Sequence, residues 1–335
     1  MTHPLHTRII HDPDEAARLL TAGKLVAFPT ETVYGLGAVA LNADAVAAVF
    51  AAKQRPQFDP LIVHLSDTSR LPEVVDSVPE TARRLADAFW PGPLTIVLPR
   101  SPRVPELVTA GRSTVGIRIP DHPAALALLR AVDRPLAAPS ANPFGGVSPT
   151  TAWHVLHGLN GRIHAVLDGG PCRVGLESTV VSVAESEPVI LRMGGIPVEE
   201  IEQVTGKVRI ARRNPDLEDG AQPAPGMLSR HYAPRTPLFV IEPDASPVAT
   251  QPRTGLLTWG SSQPAGFAAV ECLSVTGDLR ECAANFFAAL RSLDSRNLDA
   301  IIARRFPEIN LGRALNDRLS RAAGWRLETM ESRGL

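Results

Sequence analysis

The sequence predicts an α/β protein of two domains. Strand-length apolar runs alternate with helix-period segments through residues 1–206. A polar, proline-rich stretch then breaks that pattern at 211–236. The remaining residues resume it as strand, strand, helix, strand, helix. At 335 residues the chain has room for two cores, since domains run to roughly 100–200 residues each.

The first helix is predicted from Asp12-Pro13 to about Ala22, where Gly23 stops it. Residues 25–28 follow as a buried strand. A second helix starts at Asn42 or Asp44 and runs to about Ala52, with Ala45, Val46, Val49 and Phe50 on one face. Further strands are predicted at 61–65, 94–98, 115–119, 136–138, 165–167, 179–183 and 189–191. His154 and His157 share a helix, but no third ligand is near in sequence, so they read as surface or core histidines. In the tail, strands at 238–241, 255–258 and 300–303 and helices at about 279–293 and 312–323 follow the order of a small Rossmann-like domain.

Composition narrows the function. Lys and Arg number 34 against 35 Asp and Glu, a net charge of −1. That balance argues against a surface coated in positive charge for nucleic acid or membrane. The three cysteines form no CxxC pair, which fits a reducing cytoplasm without disulfides or a cysteine-based zinc site. The N-terminus is too polar for a signal peptide, and no apolar run reaches the ~18 residues of a membrane span. GxxxxGK[ST], HExxH and GxSxG are absent. Lys24, Lys53 and Lys207 are the only lysines, and the other 31 basic residues are arginine.

Five segments hold residues suited to chemistry. FPTETVYGLGA, residues 28–38, sets Thr30, Glu31 and Thr32 ahead of glycines that either make a tight turn or let a ligand reach the backbone. GLGAVA also fits G-x-G-x-x-A, although the polar PTET separates it from the strand that a dinucleotide fingerprint follows directly. Lys53 and Arg55 lie at the end of the second helix. There they either complement the helix dipole or, on extended backbone, share one side as a clamp for phosphate or carboxylate. A lysine retained in an arginine-biased chain favours the clamp, and Asp59 and His64 follow it. In residues 114–119, alternation puts Thr114, Gly116 and Arg118 opposite Val115, Ile117 and Ile119. A loop rich in Ser, Asn, Gly and Pro carries Ser140, Asn142 and Ser148. Finally, Glu177-Ser178 precedes a strand, and a second strand ends in Arg192-Met193-Gly194-Gly195.

Taken together, FPTETVYGLG, AAKQRP with PLIVH, WPGPLT, TVGIRIP, APSANPFGG with SPTT, GLESTVV and ILRMGG, in that order, resemble the YrdC-like domain. With APGMLSRHYAP and the α/β tail, nearly the whole chain is similar to the long, two-domain form of the L-threonylcarbamoyladenylate synthases. Two departures are modest: Met193 stands where proline is usual, and Phe58 where a smaller or polar residue is common.

The resemblance implies a YrdC-like catalytic domain on a twisted mixed sheet (residues 1–206), a linker or active-site lid (207–236) and a small Rossmann-like C-terminal domain (237–335). It implies threonylcarbamoyl-AMP and pyrophosphate made from L-threonine, bicarbonate or CO2, and ATP with Mg²⁺. A tRNA threonylcarbamoyl transferase complex would then modify adenosine 37 of tRNAs reading ANN codons. By resemblance Lys53, Arg55, Ser140 and Asn142 serve catalysis. Thr32, His64, Arg118 and Ser178 line the threonine pocket. Arg55, Asp59, Thr114, Asn142, Ser148, Arg192, His231 and Tyr232 face the nucleotide, and Met227 to Tyr232 close over ATP. Mg²⁺ bridging phosphates needs few protein ligands, so no metal motif is expected.

Three other readings compete. An RNA-binding factor with a basic concavity would stack bases poorly with 2 Tyr and 5% aromatics. Carbamoyl-phosphate-dependent transferases with YrdC-like domains carry zinc-finger regions, and CxxC is missing here. A Rossmann oxidoreductase would rest on GLGAVA alone.

Overall fold

The computed structural model describes residues 5–185, 187–211, 231–249, 251–261 and 264–324, which group into two units. The first comprises residues up to 144, 148–173 and 177–227; the second comprises 145–147, 174–176 and 228 onwards.

In the first unit the strands are β1 (Arg8–Ile10), β2 (Val26–Phe28), β3 (Gly35–Val39), β4 (Ile62–His64), β5 (Leu94–Pro99), β6 (Thr114–Arg118), β7 (Leu136–Ala137), β8 (Ala165–Leu167), β9 (Thr179–Ser182), β10 (Val189–Arg192) and β11 (Arg209–Ile210). They form one mixed sheet, ordered β1-β8-β2-β3-β7-β4-β6-β5-β9-β10-β11. The helices are α1 (Pro13–Thr21), α2 (Ala43–Lys53), α3 (Glu80–Phe89), α4 (Glu106–Thr109), α5 (Pro123–Val132), α6 (Ala152–Leu159) and α7 (Val198–Thr205). Their starts follow local chemistry. Asp12 accepts a hydrogen bond from the Asp14 amide ahead of Pro13, Asn42 accepts from Ala45, and Thr151 accepts from His154.

Alternation along the strands separates two cores. Val26, Phe28, Leu136, Ala165 and Leu167 pack with α1 and α5 residues such as Leu20 and Leu128. Ala27, Ala137 and Val166 point the other way, into a larger cluster with Val46, Val49, Leu85 and Ile117. The predicted strands and helices are all present, with ends moved by a residue or two.

One expectation is overturned. GLGAV is the strand β3, antiparallel to β2, and not a glycine turn. A side chain on Gly37 would place its Cβ 2.9 Å from the Phe28 ring and 3.2 Å from the Val26 carbonyl oxygen. Gly37 makes room for Phe28, so the dinucleotide reading of GLGAVA loses its basis.

In the second unit β12 (Leu238–Ile241), β13 (Thr254–Thr258), β14 (Ala269–Cys272) and β15 (Ala300–Arg304) make a parallel sheet ordered β12-β15-β13-β14. Helices α8 (Leu279–Asp294) and α9 (Leu311–Ala322) bury Phe286, Phe287, Leu290, Leu315 and Leu319. This is the small Rossmann-like domain expected of the tail. Among the described residues no helix is long and apolar enough to cross a membrane.

Candidate active site

Lys53 is the last residue of α2, and Gln54 turns the chain through the left-handed region at φ 55°. The two cations therefore part instead of lining one extended edge. Lys53 is 1% exposed, and its Nζ donates to the backbone carbonyls of Ser140 and Asn142 in the loop after β7. Arg55 folds back onto its own loop. Its Nε donates to the Asp59 carbonyl at 3.0 Å, and its Nη2 donates to the Pro60 carbonyl at 2.8 Å and pairs with the Asp59 carboxylate at 2.9 Å.

Burial sets the charge states here. It pulls the Lys53 ammonium well below the usual lysine range, with Arg55 adding to the effect and Asp59 opposing it. Burial pushes the Asp59 carboxyl up, against the pull of Arg55, Lys53 and Arg192. Of the three basic residues whose charge bears on Asp59, Arg55 pairs with it directly, and Lys53 and Arg192 act on it without a direct ion pair. Arg192, at the end of β10, donates through Nη2 to the Ser178 carbonyl at 2.9 Å and to the Ser178 hydroxyl at 3.1 Å. That hydroxyl also shares a 2.8 Å hydrogen bond with Thr95 on β5. Gly194 permits the arrangement, because a Cβ there would fall 2.3 Å from the Glu177 carbonyl oxygen.

A second cluster forms where the β2–β3 loop meets the ends of β4 and β6. His64 and Arg118 are register partners in parallel strands. Arg118 Nη2 donates to the Thr32 hydroxyl at 2.8 Å and pairs with Glu31 at 2.7 Å. Thr30 and Thr32 share a 2.8 Å hydrogen bond. Phe28 meets His64 edge-on at 5.9 Å. Burial, reinforced by Arg118, lowers the His64 pKa to about 3, so the ring is neutral near pH 7. Cys172 lies close enough to feel Glu31 and Arg118, and burial pushes its thiol up to about 12.

The remaining expected site residues fall outside these contacts. Ser148 is fully buried and donates to Glu177, next to Ser178 in sequence. Thr114 starts β6, half-buried, in register with Pro99. His231 and Tyr232 belong to the second unit, where Tyr232 adopts φ 60° and its ring meets Phe287 at 5.6 Å and the Arg318 guanidinium at 5.0 Å. Residues 212–230, which hold most of the expected lid, lie outside the described residues. Sequence reasoning placed Glu31 and Glu177 in candidate segments without giving either a role, and it did not single out Thr95. The signal for Glu31 was its place between two threonines, and for Glu177 its place beside Ser178. Among the described residues no three His, Cys, Asp or Glu side chains converge as a metal site.

Comparisons with known proteins identify the family. A family model described as "Telomere recombination", Sua5/YciO/YrdC, matches residues 18–194. A second, described as "Threonylcarbamoyl-AMP synthase, C-terminal domain", matches residues 196–324. The chain is 45% identical to threonylcarbamoyl-AMP synthase of Bacillus subtilis, over 95% of each chain. It is also similar to P. abyssi Sua5 complexed with L-threonine, with a TM-score of 0.86, 40% identity, and coverage of 97% of this chain and 98% of that one. A P. abyssi Sua5 variant in which a His and a Tyr are changed to Ala gives a TM-score of 0.87 at 40% identity, over 96% and 97% of the two chains. With one family model over residues 18–194, the second over 196–324 and relatives aligned over nearly their full length, the chain belongs to the long, two-domain form of the YrdC-like threonylcarbamoyl-AMP synthases.

Proposed function

We infer that the chain is a threonylcarbamoyl-AMP synthase, working on L-threonine, bicarbonate or CO2, and ATP. The α-ammonium of threonine first gives up a proton, and the neutral amine then adds to CO2 and releases a second proton to give a carbamate. A carbamate oxygen then attacks the α-phosphorus of ATP, and pyrophosphate leaves. The observation that carries this reading is a set of buried basic side chains, Lys53 on the Ser140–Asn142 loop, Arg55 paired with Asp59 and Arg192 on Ser178, within a domain that also holds the Thr32–Arg118–His64 cluster.

The chemistry explains the charges. Carbamate and triphosphate are both anions, and bringing them in line requires cations that are already in place. At about 4 Å and an effective dielectric of ~20, one charge contact is worth roughly 4 kcal/mol. Lys53, Arg55 and Arg192 are assigned to the phosphates and the carbamate. Asp59 holds Arg55 in position and offsets the repulsion among the cations while no nucleotide is bound. Ser140 and Asn142 hold Lys53 through their carbonyls, while Thr114 and Ser148 are assigned to the nucleotide. Thr32, His64, Arg118 and Ser178 line the threonine pocket, with neutral His64 available for a hydrogen bond to the substrate. Mg²⁺ arrives with ATP as part of the substrate. The 207–236 arm, with His231 and Tyr232, acts as the lid over ATP and shields a labile anhydride from water. A tRNA threonylcarbamoyl transferase complex consumes the product.

An omission experiment tests the activity. Purified protein is incubated with ATP, Mg²⁺, bicarbonate and L-threonine, leaving out each in turn. Pyrophosphate and a threonine-dependent adenylate are expected only in the complete mixture. ATP left intact in that mixture refutes the reading.

A further inference from the structure

Glu31 lies in the β2–β3 loop with no solvent exposure. Its Oε1 sits 2.7 Å from Arg118 Nη2, yet neither carboxylate oxygen accepts a hydrogen bond of good geometry. An ionised carboxylate offers about four lone-pair sites. Leaving them empty in the interior is costly, because the water that would fill them has been removed. A buried acceptor of this kind needs a donor that the protein itself does not supply. Arg118 shows the complementary gap: Nη2 is committed to Glu31 and Thr32, while its Nε is buried without a hydrogen-bond partner. One acceptor and one donor, adjacent and unfilled, match the two ends of an α-amino acid zwitterion.

We propose that Glu31 receives the α-ammonium group of the amino-acid substrate while Arg118 takes its carboxylate, so that the pair selects zwitterionic α-amino acids over simple carboxylates. The proposal rests on the threonine-pocket reading above. Arg118 alone would accept any small carboxylate. Glu31 adds an attraction that only a cationic nitrogen satisfies and a repulsion that turns anions away. A purely structural Glu31, present only to neutralise Arg118, makes a different prediction. Removing its charge would then alter the affinity for every carboxylate ligand by a similar factor.

Calorimetric titration of the full chain with L-threonine and with 3-hydroxybutyrate, which lacks only the ammonium group, separates the two roles. Wild type is expected to prefer threonine by roughly 10–100-fold, the worth of a charge-assisted hydrogen bond. In Glu31→Gln the preference is expected to shrink to within about threefold, through loss of threonine affinity. Binding of MgATP serves as the check on folding. A preference that survives in Glu31→Gln overturns the proposal, as does a wild type that binds both ligands alike. If Glu31→Gln does not fold, Glu31→Asp decides: it keeps the charge and is expected to keep the preference, and its loss would count against the assignment. A wild type that binds no threonine at all overturns the pocket reading itself. Threonine binding with an unaltered preference in the variant overturns only the role of Glu31.

Discussion

The Lys53 ammonium holds two backbone carbonyls of the loop after β7, so it stabilises its own site as well as being assigned to the phosphates. Lys53→Ala is therefore expected to affect two measurements at once. Pyrophosphate release should fall by at least ~100-fold, the scale for removing a preorganised charge contact. Urea unfolding should show a loss of about 1.5–3 kcal/mol, because the Ser140 and Asn142 carbonyls lose a charged donor. An exposed clamp would lose only turnover, and that outcome would contradict the buried geometry. His64 makes a second residue-level case through pH. Its pKa falls from 6.5 to about 3 on folding, chiefly through burial. Between those values the unfolded chain binds more protons than the folded one, so stability declines as pH drops from 6.5 towards 3. At one pKa unit per ~1.4 kcal/mol, the decline from pH 7 to 4.5 is about 2–3 kcal/mol. Denaturant titrations of wild type and His64→Gln at both pH values should reveal this excess in wild type, and parallel losses would show that His64 is not the source.

Among the elements, what was legible in the sequence is what local chemistry decides. Asp12-Pro13 and Asn42 cap helices as read, because a cap is satisfied within three residues. Strand β8 keeps its predicted bounds because a short apolar run is bounded on both sides by polar or glycine residues. The misreading at β3 has a different cause. The Gly37 position is shaped by the Phe28 ring across the β2–β3 pairing, a contact invisible until the register is known. The Lys53–Ser140 link joins residues 87 apart, and Arg118 meets Thr32 across 86. Recognising the family pointed to these residues, but only the fold revealed that Lys53 holds carbonyls and that Glu31 pairs with Arg118. Strand β3 yields its own prediction. Gly37→Val is expected to drive a side chain against Phe28 and cost about 1–3 kcal/mol by overpacking. Because Phe28 packs on His64, affinity for L-threonine should weaken in parallel. Unfolding and threonine titrations of this variant check both effects, and an unchanged threonine affinity would sever Phe28 from the pocket.

At the scale of the whole molecule, a net charge of −1 coexists with buried basic side chains at Lys53, Arg55, Arg118 and Arg192. The balance excludes a basic coat and leaves local charge untouched. The division into units bears on the lid. The first unit has core clusters on both faces of its sheet, so residues 1–211 contain what an independent fold requires. The second unit nevertheless takes in residues 145–147 and 174–176, beside the Ser148 and Glu177 positions. A chain ending at residue 211 is thus expected to fold cooperatively, with reduced stability, since Val147 and Leu176 lose neighbours grouped with them. If the arm beyond residue 211 closes over the nucleotide, this shortened chain should bind MgATP about tenfold more weakly, one charge-assisted contact's worth. It should also release threonylcarbamoyl-AMP sooner and leave it open to hydrolysis. Calorimetry with MgATP and chromatographic timing of adenylate decay measure the two effects separately. Equal ATP affinity and equal product lifetime in the short and full-length chains would remove the lid from the mechanism and leave the second unit needing another role.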